Sequence, residues 1–235
     1  MIRDVKGQVD SEIPVKRIII SVFDKTGLES FVPGLVGINP GILILSTGGT
    51  YKKIREMLGA NDQHLMDIAE YTGAKEMEGG LVKTLHPKIH AGILAERNNP
   101  EHQGYLRNLG GDFIDMVVVN LYPFERVIAD PNVSFEGARG NIDIGGPAML
   151  RGAAKNFLSC AAVCQPGGYN YLLSHLKANN GSTLLPERLF LASKVFEITA
   201  EYDTAIAKHL REKINDSEGR GLGRIVEGYL AKDCE

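Results

Sequence analysis

RIIISVFDKTGL, residues 17–28, reads as a buried strand that stops at a turn and opens a helix. Ile18, Ile19, Ile20 and Val22 are β-branched residues suited to the interior of a sheet. Asp24-Lys25-Thr26-Gly27 then breaks the run with turn chemistry, and a helical pattern follows over 25–36. The same grammar recurs outward along the chain. A strand over 41–47 ends in Ser46-Thr47-Gly48-Gly49-Thr50 and feeds a helix over 50–58, where Thr50 is placed to cap the first amides. Further strands are expected over 115–122 and 159–165. Strand-length apolar runs alternating with helical segments predict an α/β protein built on a parallel sheet.

Two further helices are expected along the chain. Pro147 suits the first turn of a helix running to about Asn156. Residues 186–214 keep apolar positions at three-and-four spacing, with a kink or break expected near Thr199 to Asp203. Residues 1–15 read as an N-terminal extension, 16–214 as the folded domain, and 215–235 as a Gly- and charge-rich tail with at most a short helix.

Composition narrows the function classes. At 235 residues with 43% hydrophobic content, the chain can bury a core without disulfides. Its net charge of -3 and pI near 6.1 give no footprint for nucleic acid or an anionic membrane, so any anionic ligand should be small. No apolar run approaches the ~18 residues of a spanning helix, which predicts a soluble, cytoplasmic protein. Cys160 and Cys164, four apart in an apolar strand, fall on one face and read as small core residues rather than metal ligands.

Three motifs are set aside on chemistry. Gly219, Gly221 and Gly223 lack the preceding strand and βαβ unit of a dinucleotide loop. His86 and His90 have the spacing of a zinc pair, but Pro87 disfavours helix at His86 and no third ligand is evident. Asp24-Lys25-Thr26-Gly27 is similar to the phosphorylated aspartate motif of cation pumps, yet Leu28 stands where that motif has threonine. What remains is two strand-to-helix turns, at Asp24-Lys25 and at Gly48-Gly49, whose amides and lysine suit a phosphate.

Taken in order, SVFDKTGL (21–28), STGGT (46–50), GGLVKTLHPKIHAGIL (79–94), VVVNLYPF (117–124) and NIDIGGPAMLRGAAKNF (141–157) resemble one family. The chain is similar to IMP cyclohydrolase, which usually forms the N-terminal part of bifunctional AICAR transformylase/IMP cyclohydrolase. The resemblance implies a three-layer, methylglyoxal-synthase-like α/β sandwich with additional C-terminal helices. It also implies dehydrating closure of 5-formamidoimidazole-4-carboxamide ribotide (FAICAR) to IMP, with no metal or cofactor. Lys83, Tyr122, Asp143 and Lys155 match the family's catalytic set. Ser21, Asp24, Lys25, Thr47, Gly48, Gly49, Thr50, Thr84, Asn120 and Ile144 match its nucleotide contacts.

Because both reacting groups belong to one molecule, the protein must fix a reactive rotamer, move protons and stabilise an oxyanion. Asp143 is expected to take a proton from the attacking carboxamide nitrogen. Lys83 and Lys155 would stabilise the oxyanion and protonate the departing hydroxyl, and Tyr122 would add a hydrogen bond.

Phe23, Leu81 and Phe157 depart from the family pattern, which has serine, arginine and histidine there. Leu81 would weaken nucleotide binding unless Arg139, Arg151 or Lys52 supplies the missing cation. Two other readings stay open: methylglyoxal synthase, which would leave NLYPF and IDIGG unexplained, and a non-catalytic nucleotide-sensing module. A homodimer and a separate transformylase partner are both compatible with the resemblance.

Overall fold

Three consecutive isoleucines set the centre of the sheet. In the computed structural model, which describes residues 5, 8–75, 77, 82–215 and 219–231, strand β2 (Arg17–Val22) pairs in parallel with β3 (Leu43–Ser46) on one side and β5 (Met116–Asn120) on the other. β4 (Leu65–Asp67) and β6 (Ala161–Val163) complete a five-stranded parallel sheet in the order β4-β3-β2-β5-β6. Ile18, Ile19 and Ile20 are fully buried, because both faces of this sheet are covered and a strand buried on two sides reads as a continuous apolar run.

Helices α1 (Leu28–Ile38) and α9 (Tyr169–Ala178) cover one face through Phe31, Val32, Leu172 and Leu176, and Phe31 stacks on Tyr169 with ring centroids 4.4 Å apart. Helix α8 (Gly145–Lys155) lies against β5 and β6, with α4 (Pro87–Leu94) beside it. This is the expected three-layer α/β sandwich. Cys160 and Cys164 are both buried, as expected of small core residues.

The chain divides into two compact units: residues 1–121 with 144–196, and residues 122–143 with 197–235. The second holds α6 (Phe124–Ile128), α7 (Phe135–Gly140), the later part of α10 (Leu185–Ile214) and α11 (Gly221–Leu230).

Several boundaries differ from the sequence reading, each for a local reason. Helix α1 begins at Leu28 rather than residue 25, because Asp24 accepts the Thr26 amide (2.9 Å) and Gly27 takes a left-handed φ of 81°. Helix α2 (Gly48–Leu58) begins before Thr50, and that hydroxyl bonds β2 instead of capping. Helix α10 runs unbroken through 199–203, since no proline or glycine interrupts it there. Within the segment read as an N-terminal extension, β1 (Glu12–Pro14) pairs antiparallel with β7 (Ser182–Leu184).

Arg188, wholly buried, secures that corner by donating to the carbonyls of Asp10, Phe157, Leu158 and Thr183. Burial lowers its pKa to about 10. Among the described residues no helix is long and apolar enough to cross a membrane.

Candidate functional site

The strand order reverses at β2: β3 and β4 follow on one side, then the chain crosses to β5 and β6 on the other. A parallel sheet opens a crevice at the carboxyl ends of its strands where the order reverses, because adjacent connections leave to opposite sides. The carboxyl end of β2 carries Ser21, Phe23, Asp24 and Lys25; that of β3 carries Ser46 to Thr50; that of β5 carries Asn120.

Backbone locks hold these turns in place. The Asn120 side chain accepts the Asp24 amide and donates to the Asp24 carbonyl, both at 2.8 Å, tying β5 to the turn after β2. Thr50, 5% exposed, donates to the Val22 carbonyl (2.9 Å) and accepts the Val22 amide (3.2 Å). Ser46, fully buried, donates to Ile20 O at 2.7 Å. Ser46 was not among the expected residues, and its only sequence signal was a polar residue at the end of an apolar strand.

Positive charge converges at the start of α2. Gly48 has a φ of 57°, and a Cβ placed there would lie 3.6 Å from Lys83 Nζ. One placed on Gly49 would lie 4.0 Å from Lys25 Nζ. The Thr47 side chain makes no capping bond to this helix, whose N-terminus itself carries partial positive charge. Two ammonium groups and a helix N-terminus around a glycine pair form a cradle for a dianion such as a phosphate monoester.

The segment leading to Lys83 is shaped by Val82, a β-branched residue at φ 69°. Thr84 is buried with Oγ1 only 2.5 Å from where a Gly145 Cβ would stand, so Gly145 is required for the VKT turn to meet the start of α8. Ile144, 62% exposed, is the residue before that helix.

Lys155 lies elsewhere. It closes the eleven-residue α8, roughly 15 Å along the axis from Gly145 at ~1.5 Å per residue. Its neighbour Asn156 donates to Ile93 O and Ala95 O, and the chain then enters the start of β6. Within one chain, Lys155 is therefore at the opposite end of the sheet from Lys25 and Lys83.

Tyr122 and Asp143 belong to the second unit, as the first and last residues of segment 122–143. Tyr122 is 45% exposed. Phe124 is buried edge-on against Tyr202 and His209, and the Asp143 amide donates to the Tyr202 hydroxyl at 2.8 Å.

Among the departures, Phe23 is exposed and Phe157 gives its carbonyl to Arg188, while Leu81 lies outside the described residues. Of the possible substitute cations, Arg139 is engaged by both oxygens of Glu136 and Arg151 lies 5.4 Å from the Phe196 ring. Lys52 is exposed on α2. Among the described residues no group of three His, Cys, Asp or Glu side chains could hold a metal ion.

The sheet order and its covering helices define an α/β protein of the methylglyoxal-synthase-like class, and residues 28–148 match the family model described as MGS-like domain. The chain belongs to that family. Residues 153–228 match a second model, AICARFT/IMPCHase bienzyme, so the two matches adjoin inside α8.

The chain is 47% identical over 225 residues to the bifunctional purine biosynthesis protein PurH of Chlorobium chlorochromatii, covering 96% of this chain and 41% of that protein. It is 46% identical over 202 residues to PurH of Ruminiclostridium cellulolyticum, covering 86% of this chain and 38% of that protein. The chain thus spans about two-fifths of the length of these relatives, and it matches their IMP cyclohydrolase part. A solved structure, titled as the crystal structure of ForH, superposes with a TM-score of 0.70 at 33% identity, covering 82% of this chain and 95% of that one. The resemblance to IMP cyclohydrolase drawn from the motifs is borne out.

Proposed function

We propose that this chain closes FAICAR to IMP with loss of water. The observation that carries the reading is the convergence of Lys25 and Lys83 on the Gly48-Gly49 start of α2, at the reversal point of the sheet. That cradle suits the 5′-phosphate of a ribotide, and the Asn120–Asp24 lock fixes the turn beside it.

In the proposed reaction the carboxamide nitrogen attacks the formyl carbon, forming the new C–N bond. Asp143 takes the proton the nitrogen sheds, and Lys83 stabilises the oxyanion left on the formyl oxygen. Tyr122 donates a hydrogen bond to the same oxygen, which takes up one proton to give a hydroxyl; a lysine ammonium then protonates that hydroxyl, the C–O bond breaks to release water, and the former formamide nitrogen gives up its proton as the ring C=N bond forms. The step is intramolecular, so holding the reactive rotamer supplies much of the acceleration.

Lys155 enters through a second copy. Its assignment comes from the family motif, and its place at the far end of α8 keeps it from the Lys83 cradle of its own chain. A two-fold dimer that brings the end of one α8 to the cradle of the other satisfies both, so we infer a homodimer. Residues 16–214 carry the activity in this reading, and the protein works in the cytoplasm. The formyl group must come from a transformylase step, supplied by the rest of a longer polypeptide or by a separate protein.

Incubating the purified chain with FAICAR, in excess chelator and without folate, should produce the ultraviolet spectrum of IMP. Absence of IMP overturns the reading. Phosphate release from a triose phosphate would establish the methylglyoxal synthase alternative instead. Binding of IMP without turnover would establish the sensing module.

A further inference from the structure

Asp143 lies outside regular structure, one residue before the bend at Ile144, yet a proton acceptor must be held in direction to work. Within its own unit, the Asp143 amide donates to the Tyr202 hydroxyl at 2.8 Å, and the same hydroxyl lies 3.4 Å from the Asn141 carbonyl. The Tyr202 ring meets Phe124 edge-on at 6.2 Å between centroids, two residues after Tyr122. One helical face thus grips both ends of segment 122–143, since His209, seven residues along α10, meets the same Phe124 ring at 5.7 Å.

The ring of Tyr202 would pack as well without its oxygen. A phenol taken out of water is unfavourable unless its hydroxyl is bonded, and here the Tyr202 hydroxyl accepts the Asp143 amide and donates to the Asn141 carbonyl. Burial, with Asp143, Asp203 and Tyr122 nearby, holds the phenol above its ordinary pKa, so at neutral pH it is an uncharged hydroxyl able to accept the amide.

We infer that Tyr202 is a positioning residue for the cyclisation: its hydroxyl fixes the backbone of Asp143, and with it the direction of the carboxylate. The inference rests on the reading that Asp143 takes the proton in ring closure. Tyr202 touches no reacting atom in this scheme and acts only through Asp143.

Tyr202→Phe keeps the ring and removes the hydroxyl. Its kcat for FAICAR should fall about tenfold while KM stays within about twofold of the unaltered protein, because a misdirected acceptor weakens the transition state and not substrate binding. Its melting temperature should barely move. The loss should vanish in an Asp143→Asn background, since a residue acting through Asp143 has nothing left to position. Amide exchange gives a readout independent of turnover: the Asp143 N–H should exchange faster in Tyr202→Phe.

Normal kcat in Tyr202→Phe, or a tenfold loss that persists in the Asp143→Asn background, overturns the inference. So does unchanged exchange at Asp143. If the unaltered chain makes no IMP, the reading beneath it fails instead, which separates the two failures.

Discussion

The turns at the carboxyl ends of β2 and β3 and the segment 122–143 both carry candidate functional residues, but they are built differently. Around the turns, side chains of the sheet unit bond strand backbone directly: Asn120 to Asp24, Thr50 to Val22, Ser46 to Ile20. These bonds join neighbouring parallel strands, so the cradle is as rigid as the sheet itself. Segment 122–143 has only two short helices, and its ends are held by aromatic and histidine side chains from one face of α10. The first region is tied into strand backbone, whereas the ends of the second hang on side chains of a single helix. Loss of function should therefore divide the same way: binding from the cradle, turnover from the segment.

Asp143→Asn gives the largest expected effect. A positioned base contributes ~10²-fold or more, so kcat should drop by at least that while KM changes little. Steady-state kinetics on FAICAR checks it, and near-normal turnover would break the division of labour at its strongest point.

Lys83→Ala and Lys155→Ala should each be nearly inactive alone. If Lys155 serves the site of a second copy, mixing the two variants under conditions of subunit exchange should restore roughly a quarter of normal activity, because about half the dimers are mixed and each has one intact site. No recovery would refute the shared arrangement and leave the far end of α8 without a catalytic role.

Lys25→Ala tests the cradle. A charge-assisted hydrogen bond to a phosphate contributes about 1.5–3 kcal/mol, so KM for FAICAR and the Kd for IMP should rise by one to two decades with kcat nearly kept. The effect should shrink in high salt. A fall in kcat with unchanged KM would show that the turns take part in chemistry rather than holding the ligand.

How much of this contrast the sequence disclosed follows from its physical basis. The central strands were legible because Ile18 to Ile20 and Val117 to Val119 are long apolar runs, and the glycine turns because Gly27 and Gly48 are needed at positive φ. The three-residue strands β1, β4 and β7 are too short for any periodicity to register, whereas β6, equally short, is legible from the apolar run over 159–165 that surrounds it. Lys83, Tyr122, Asp143 and Lys155 emerged from family motifs, but no spacing in a sequence shows that α8 puts Lys155 at the far end of the sheet from Lys83. The bond from Asp143 to Tyr202 spans 59 residues, and a tyrosine on a helical stripe reads as core until its hydroxyl partner is seen.

The smallest expected effect concerns acid and the segment 122–143. His209 is 5% exposed, its Nε2 is buried with no hydrogen-bond partner among the described residues, and its ring packs on Phe124. Burial, reinforced by Lys213 and opposed by Glu212, lowers its pKa below the ordinary histidine value. The folded protein therefore keeps His209 neutral in mild acid while the unfolded chain takes up a proton as pH falls through ~6.5. Protons bound preferentially by the unfolded state favour unfolding, so stability from this group is full above that pH and is lost as pH falls toward the lowered folded value. His209→Gln removes the titration, so between pH 7.5 and 5.5 the unaltered protein should lose more stability than the variant in parallel denaturant titrations. His90, whose pKa burial also lowers, contributes the same loss to both proteins and cancels in the difference. Because the turns of the cradle are locked by amide, hydroxyl and carbonyl groups that do not titrate in this range, the excess loss should be accompanied by a fall in kcat and not by a rise in KM. Equal acid sensitivity in the two proteins would show that the Phe124 cluster is as insensitive to protons as the sheet turns, and the contrast between the two regions would have to rest on kinetics alone.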